Sequence, residues 1–247
     1  MPCVGWTRES SRGYAFDSAL SDSLSLSREA PDVREKECRA AASATAAAAR
    51  ASKIRASVVI IFYNELSSVL LRSVVSVLNR SDPELLARII VVDDASDTTG
   101  ADYRDGGGGG EGGDGEATRD HRELGVELSR HIAELDRAAS AGGRAQRVRL
   151  LRLGERHGLM RARAAGADEA AAMARAAGED GGRHALVFLD SHVEASPGWL
   201  DPLLAQLGDR STTTDNKSYS RDVIVPSIDS IDANSFQYNR GGIGTLG

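Results

Sequence analysis

The distribution of hydrophobic residues predicts strands and helices that alternate along most of the chain. Short runs in which nearly every residue is apolar are typical of strands buried on both faces, whereas apolar residues three and four apart are typical of helices. Strands are predicted, in chain order, at 57–62, 88–92, 147–152 and 185–189. Helices are predicted from about Ser67 to a break at 79–83, and at 123–139, 159–177 and 197–207. This alternation predicts an α/β fold with a mostly parallel sheet flanked by helices.

Two stretches lack this pattern. Residues 1–55 show little periodicity, and their alanine tract at 40–51 could be a helix or a low-complexity linker. Residues 101–119 are rich in Gly, Asp and Glu, and we expect a disordered insertion because they cannot bury enough apolar surface to become ordered. We therefore predict a partly disordered segment at 1–55 and a folded domain at 56–247 that contains the insertion.

The C-terminal part continues the pattern only briefly. After a polar loop at 209–220, residues 222–226 predict a fifth strand that continues through 228–232. The last residues, 241–247, are rich in glycine and contain no element that would complete the sheet. We therefore expect an architecture that is incomplete at the C-terminus.

Composition excludes several classes of protein. The 247 residues are 41% hydrophobic, which is enough for a core, and the net charge of −6 argues against a general nucleic-acid binder. No stretch is long and apolar enough for a predicted membrane span, and the first residues are too polar for a signal peptide. Cys3 and Cys38 could pair, but two cysteines do not fix the redox compartment.

Asp190, Ser191 and His192 end the apolar run 185–189 and are the most informative residues for function. In an open α/β sheet, ligands bind at the carboxyl ends of the strands. An Asp and a His two positions apart project toward the same side there, and carboxylate and imidazole are suitable ligands for a divalent metal such as manganese. Taken alone, such a triplet is more often a turn that caps the next element.

Other polar residues follow the neighbouring strands. They are Tyr63-Asn64-Glu65, Asp93-Asp94 and Arg156, and parallel strands would bring all of them to one edge with Asp190. This set suits a nucleotide-sugar, because backbone groups and a carboxylate can bind the base and ribose while a metal and an Arg bind the diphosphate. Individually, the carboxylates could be turn residues and Arg156 a solvated loop charge. The chain has neither a G-x-G-x-x-G after its first strand nor a G-K-[ST] loop, which disfavours dinucleotide and P-loop sites.

Several segments, read together, resemble the polypeptide N-acetylgalactosaminyltransferases, which begin mucin-type O-glycosylation. The segments are Ser57–Glu65, Ile89–Ser96, Arg156–Arg163, Phe188–Glu194, Gly198–Leu204 and Val225–Asp232. They are similar to family patterns ending in F-H-N-E, and to I-x-x-V-D-D-x-S, R-x-G-L-[IM]-R-x-R, F-L-D-S-H-C-E, G-W-L-E-P-L-L and C-P-x-I-D-x-I-D. The N-terminal residues around Pro31–Arg34 also resemble the family's pre-catalytic segment, so the resemblance covers roughly 15–240 apart from the glycine-rich insertion.

This resemblance implies the GT-A nucleotide-diphospho-sugar transferase fold and a retaining, Mn²⁺-dependent transfer of N-acetylgalactosamine. The donor would be UDP-GalNAc, the acceptor a Ser or Thr hydroxyl of a polypeptide, and the location the Golgi lumen or secretory pathway. Asp190 and His192 would ligate manganese. The implied donor-binding residues are Ser191, Glu65, Arg156, and Asp94 with the backbone of Ile61, Phe62 and Tyr63 around the uridine.

The chain also departs from the family pattern. Tyr63 replaces a His, Val193 replaces a Cys, and residues 241–247 differ from the family's G-G-F-D-W. The family's third metal ligand, its acceptor-side Trp-rich loop and its lectin domain have no counterpart here, and Cys38 lacks its partner. We interpret the chain as the donor-binding half of a GT-A catalytic domain. The alternatives are a truncated, inactive UDP-binding fragment, or a GT-A transferase with another acceptor.

Overall fold

The computed structural model describes residues 16–32, 34–96, 121–141, 147–179, 183–210 and 223–239. The helices are α1 (Ser18–Ser23), α2 (Lys36–Ala40), α3 (Ala42–Ala51), α4 (Ser67–Arg80), α5 (His121–Ala139), α6 (Leu159–Ala176) and α7 (Asp201–Arg210). The strands are β1 (Ile54–Phe62), β2 (Leu86–Asp93), β3 (Val148–Arg152), β4 (Arg183–Asp190), β5 (Ser230–Ile231) and β6 (Tyr238–Asn239). The expected insertion at 101–119, the chain end at 241–247 and Cys3 lie outside the described residues. Among the residues that are described, Cys38 is exposed and forms no disulfide.

Within the described residues, the main sheet has four strands in the order β3-β2-β1-β4, and every neighbouring pair is parallel. The prediction of a mostly parallel α/β sheet is therefore confirmed. The strands are in register at their carboxyl ends, since Ile61 of β1 lies between Val92 of β2 and Asp190 of β4. This register places the polar residues after each strand at one edge.

Helices cover the two faces of the sheet unequally. On one face, α4 buries Leu70, Val74 and Val77 in the main core, which also contains residues of α5 and α7. Those α4 positions follow the predicted 3.6-residue stripe, and the helix ends before Pro83 because proline cannot continue it. On the other face, α6 packs against β1 and β2 through small residues, including Ala162 and Ala170.

Residues before β1 also pack on this domain. The alanine tract is the helix α3, which contacts α7, and α1 contacts α4. The short helix α1 begins at an N-cap, because the Asp17 side chain accepts a hydrogen bond from the Leu20 N–H at 2.9 Å. The described part of the segment before residue 55 therefore includes three helices, two of them in contact with the sheet's own helices.

The predicted fifth strand at 222–226 is wrong for the residues described. Residues 223–229 form no strand, and Val223 and Val225 are 87% and 72% exposed, so none of the described strands or helices covers them. Pro226 has no N–H for a strand ladder. A short antiparallel pair follows instead, in which Ile231 of β5 lies beside Tyr238 of β6.

Two other predictions need correction. β4 was expected to be buried on both faces, but it is an edge strand, and Leu186 and Phe188 are 48% and 40% exposed because α6 packs over β1 and β2 instead. The helix predicted at 197–207 begins only at Asp201, because Gly198 has φ +67° and the preceding residues form a turn. Among the described residues, no helix is long and apolar enough to cross a membrane.

Candidate functional site

The residues predicted to share one edge of the sheet do lie together. The Asp94 N–H donates to the Phe62 carbonyl at 3.0 Å, which continues the β1–β2 ladder one residue past the end of β2. Asp190 lies beside Ile61 on the other side of β1. The candidate site is therefore built on the ends of β2, β1 and β4, in that order.

Asp94 holds the loop between β3 and α6. It is 3% exposed, and its two carboxylate oxygens accept the N–H groups of His157 and Gly158, each at 2.8 Å. Gly158 has φ +79°, which only glycine adopts readily, and α6 starts at the next residue. The buried carboxylate therefore fixes where the loop turns into the helix.

Arg156 lies on this loop and contacts the end of β1. Its guanidinium carbon is 3.7 Å from the centre of the Tyr63 ring, which is a close cation–π contact. Arg156 is thus an exposed cation with a defined orientation at the strand-end edge.

Asp93 and Asp94 have different surroundings. Asp93 accepts the Ser96 N–H at 2.8 Å and the Arg152 guanidinium at 3.1 Å, and Ser96 Oγ in turn accepts the Asn64 N–H at 2.9 Å. Asn64 and Ala95 both have positive φ, at 52° and 55°. The hydrogen bonds of Asp93 therefore stabilise the two tight turns that follow β1 and β2.

The Asp190-Ser191-His192 triplet is held from two sides. Ser73 of α4 donates from Oγ to the Ser191 carbonyl at 2.7 Å and accepts the Val193 N–H at 3.1 Å. On the other side, Glu65 Oε2 lies 2.8 Å from Ser191 Oγ and 3.0 Å from His192 Nδ1. The next helix begins only at Asp201, so the triplet does not cap it.

Glu65 and His192 shift each other's protonation. Burial opposes ionisation of Glu65, but hydrogen bonds from His192, Ser191 and the Leu66 N–H outweigh it and hold the pKa of Glu65 below its usual value. The hydrogen bond to Glu65 raises the pKa of His192 against the effect of burial, and the charges of Glu65 and Asp190 act in the same direction. The site therefore contains an ionised Glu65 beside a basic imidazole.

The chemistry of these side chains fits a divalent cation in part. With Nδ1 bonded to Glu65, the Nε2 atom of His192 is left for a metal, and its side chain is 63% exposed. Asp190 supplies a carboxylate, a ligand type that Mn²⁺ accepts readily. Within the described ranges, no group of three or more His, Cys, Asp or Glu side chains is placed to hold a metal. Asp190 and His192 would therefore form a two-residue site.

A second group of polar residues lies directly behind the triplet. Glu194 is 6% exposed on its side chain and accepts hydrogen bonds from Arg28, at 2.8 Å to Oε1 and 3.0 Å to Oε2, and from the Tyr238 hydroxyl. Burial, followed by the hydrogen bond to Glu194, raises the pKa of Tyr238 to about 12. The sequence pattern assigns no role to Glu194, although the residue lies in the motif Phe188–Glu194. The sequence signal that could have pointed to Glu194 is its position two residues after His192.

The sequence of the chain matches a known protein family. The model of the family "Glycosyl transferase family 2" matches residues 57–105 and 130–243, which is more than half of the chain. The chain belongs to glycosyl transferase family 2.

Two individual relatives show which kind of glycosyltransferase the chain is similar to. The chain is 38% identical over 232 residues to N-acetylgalactosaminyltransferase 6 of Drosophila melanogaster, covering 94% of this chain and 26% of that protein. It is 34% identical over 245 residues to polypeptide N-acetylgalactosaminyltransferase 6 of Mus musculus, covering 95% and 29%. The resemblance predicted from the sequence motifs is confirmed.

A solved structure supports the fold. The crystal structure of GalNAc-T7 with UDP, GalNAc and Mn²⁺ matches with a TM-score of 0.64 and 26% identity, covering 96% of this chain and 34% of that chain. The predicted GT-A fold class is confirmed. The chain spans about a quarter to a third of the length of the relatives it matches.

Proposed function

We propose that this chain is the donor-binding part of a retaining, Mn²⁺-dependent glycosyltransferase. It would transfer N-acetylgalactosamine from UDP-GalNAc to a Ser or Thr hydroxyl of a polypeptide, as in mucin-type O-glycosylation. Residues 1–55 would form the pre-catalytic segment and 56–247 the donor-binding domain. The observation that carries this proposal is the shared edge at which Asp190 and His192 lie beside Glu65, Asp94 and the Arg156 loop.

The diphosphate end of the donor would lie against the end of β4. Asp190 and His192 would hold Mn²⁺, whose charge stabilises the departing UDP when the ion is bound. Arg156, oriented by the Tyr63 ring, would offset the remaining phosphate charge. The Ser191 hydroxyl donates its hydrogen bond to Glu65, so from a bound UDP-sugar it can only accept a hydrogen bond. That arrangement suits a hydroxyl or N–H group of the donor.

The uridine end would lie against β1 and β2. Asp94 with the backbone of Ile61, Phe62 and Tyr63 would bind it, and the two oxygens of Asp94 already orient the neighbouring loop. Each carboxylate oxygen has a further lone pair, so Asp94 can accept a hydrogen bond from the nucleoside as well. Glu65, predicted as a donor-binding residue, contacts Ser191 and His192, which favours a supporting role behind them.

A second candidate function is donor binding without transfer. The observation that favours it is that the described residues offer only a two-residue metal site, Asp190 and His192, which would hold Mn²⁺ weakly without further ligands. In that case the catalytic reaction would require residues of a longer protein. A third possibility is a GT-A transferase that differs from the first proposal only in transferring the sugar to an acceptor other than a polypeptide.

A transfer assay separates these candidates. Labelled UDP-GalNAc, UDP-GlcNAc and UDP-galactose are each incubated with Mn²⁺ and either a Ser/Thr-rich peptide or a simple glycoside as acceptor. UDP binding is measured in parallel by calorimetry. Transfer from UDP-GalNAc alone supports the proposal. Binding of UDP without transfer supports the second candidate, and transfer to a non-peptide acceptor supports the third. Absence of UDP binding both with and without Mn²⁺ contradicts all three.

Location follows the proposed chemistry. The transferases of mucin-type O-glycosylation that the chain resembles act in the secretory pathway, so we propose the Golgi lumen as its location.

A further inference from the structure

Glu65 makes its contacts to the metal-site residues with a single oxygen. Oε2 lies 2.8 Å from Ser191 Oγ and 3.0 Å from His192 Nδ1, while Oε1 accepts the Leu66 N–H at 3.1 Å. The Glu65 side chain is 12% exposed, whereas that of His192 is 63% exposed. A largely buried carboxylate, which also accepts a backbone N–H, therefore holds a mostly exposed imidazole.

This contact determines which nitrogen of His192 can bind a cation. An ionised carboxylate only accepts hydrogen bonds, so the neutral imidazole bonded to it must carry its hydrogen on Nδ1. The lone pair is then on Nε2, the nitrogen that faces away from Glu65. In known metal sites, a carboxylate behind a ligating histidine fixes its tautomer and increases its basicity in the same way.

We propose that Glu65 is a positioning residue, which holds His192 as the Nδ1–H tautomer and so presents Nε2 to a divalent cation. The inference deepens the proposed function and rests on it, since it requires Asp190 and His192 to bind the metal. Glu65 itself would touch neither the cation nor the donor. Its buried position behind Ser191 and His192 distinguishes this role from direct donor binding.

A purely structural role predicts different behaviour. Glu65 also contacts the start of α4 through Leu66, so its replacement costs some stability in either case. Only the positioning role predicts a change in metal affinity in a variant that remains folded. The two roles are therefore separated by measuring cation binding and folding on the same samples.

The test uses Glu65→Gln, Glu65→Asp and the control Glu84→Gln, an exposed glutamate after α4 whose contact is a 3.6 Å ion pair with Arg50. Mn²⁺ binding is measured by electron paramagnetic resonance with MnCl₂ alone and with MnCl₂ and saturating UDP. We expect Glu65→Gln to weaken Mn²⁺ binding by about 10- to 100-fold, Glu65→Asp to weaken it less, and Glu84→Gln to have no effect. Circular dichroism verifies folding.

A second measurement does not depend on a variant. Two-bond ¹H–¹⁵N spectra of the metal-free wild type, with the His192 signals identified by their loss in His192→Ala, report the tautomer. An Nδ1–H tautomer supports the inference even if Glu65→Gln fails to fold, and an Nε2–H tautomer overturns it.

The outcomes separate the two claims. If the wild type binds Mn²⁺ and folded Glu65→Gln binds it equally well, the role of Glu65 is overturned and the proposed function stands. If the wild type binds no Mn²⁺ with or without UDP, the proposed function fails and the role of Glu65 fails with it.

Discussion

At the residue scale, two exposed side chains proposed to touch a ligand, His192 and Arg156, each depend on a less exposed carboxylate. His192 is held by Glu65, and the loop that carries Arg156 is held by Asp94, which is 3% exposed. A buried polar group costs free energy unless it is hydrogen-bonded, and Glu65 and Asp94 meet that requirement with the groups that they orient. Stability and ligand geometry are therefore coupled at these positions.

Asp94→Ala tests this coupling. The change leaves the N–H groups of His157 and Gly158 without their acceptor, and we expect a loss of roughly 1–3 kcal/mol in the free energy of unfolding. UDP affinity should fall too, because the Arg156 loop is released. Urea denaturation and UDP calorimetry measure the two effects. Asp168→Ala, at an exposed position on α6, is the control. Unchanged UDP affinity in Asp94→Ala would contradict the role of this carboxylate.

The sequence could predict that these residues share an edge, but not which contacts they make. The edge follows from the parallel strands, whose carboxyl ends must coincide. The partners depend on turns with unusual backbone angles at Asn64 and Ala95, neither of which is a glycine that would reveal the turn. The sequence therefore could not predict that Asp93 binds the turn and Arg152 whereas Asp94 binds the loop before α6, because the two residues are adjacent.

At the element scale, α6 packs on the sheet through a glycine. A Cβ added to Gly166 would lie 2.4 Å from Val59 Cγ1 and 2.9 Å from Val92 Cγ2, and valine side chains have little rotameric freedom to move away. Gly166→Ala should therefore cost about 1–3 kcal/mol through overpacking. In a helix interior, Ala is more stable than Gly by roughly 1 kcal/mol, and the overpacking cost cancels or exceeds this gain. We expect net destabilisation.

Chemical denaturation measures this effect, with Gly154→Ala as the matched control. An added Cβ at Gly154 has nothing within 4 Å, so its midpoint should stay near that of the wild type. A Gly166→Ala protein at least as stable as the Gly154→Ala protein would show that α6 does not need this close approach.

Glu179 joins the end of α6 to two strands through Arg88 of β2 and Arg55 of β1. Burial opposes its ionisation, but the hydrogen bond and charge of Arg88, with the charge of Arg55, hold the pKa of Glu179 below its ordinary 4.5. A carboxylate with a lowered folded-state pKa stabilises the protein above its unfolded-state pKa. That contribution is lost as the pH falls through the folded-state value.

Glu179→Gln should therefore be less stable than the wild type near neutral pH, by about 2 kcal/mol. The difference should narrow as the pH falls below about 4.5. Urea unfolding of both proteins over this pH range measures it. A difference that stays constant with pH would mean that the charge of Glu179 does not stabilise the fold.

Elements were predictable where local pattern determines them. The α4 stripe and the apolar β1 and β2 runs predicted the right structures, because their side chains are buried on the faces that the pattern requires. The strand predicted at 222–226 was wrong because a strand forms only beside another strand. The sequence of a segment does not show which other segments lie next to it. The exposure of β4 has the same cause, namely its place at the edge of the sheet.

At the scale of the whole molecule, Glu194 connects three separate parts. Arg28 belongs to the segment after α1, Arg72 to α4 and Tyr238 to β6, and all three lie against this carboxylate, with Arg72 Nε at 3.5 Å. Arg28 and Arg72 also lie over the Phe236 ring, at 5.8 and 5.3 Å from its centre. The N-terminal segment is thereby tied to the loop that contains His192.

Glu194→Gln should be strongly destabilising, by about 3–5 kcal/mol, because it leaves buried guanidinium groups without a counter-charge. Tyr238→Phe, which removes only one hydrogen bond to the same carboxylate, should cost about 1 kcal/mol. Thermal and urea unfolding compare the two variants. Equal losses would show that charge at Glu194 does not hold these parts together.

The central claim is that Asp190 and His192 bind UDP through manganese. Calorimetric titration of UDP, with Mn²⁺ and with EDTA, into the wild type and His192→Ala tests it most directly. His184→Ala, which changes an exposed histidine near the opposite end of β4, is the control. We expect Mn²⁺-dependent UDP binding in the wild type and in His184→Ala, and no binding in a folded His192→Ala protein. Equal UDP affinity in His192→Ala, or equal affinity in EDTA, would contradict it.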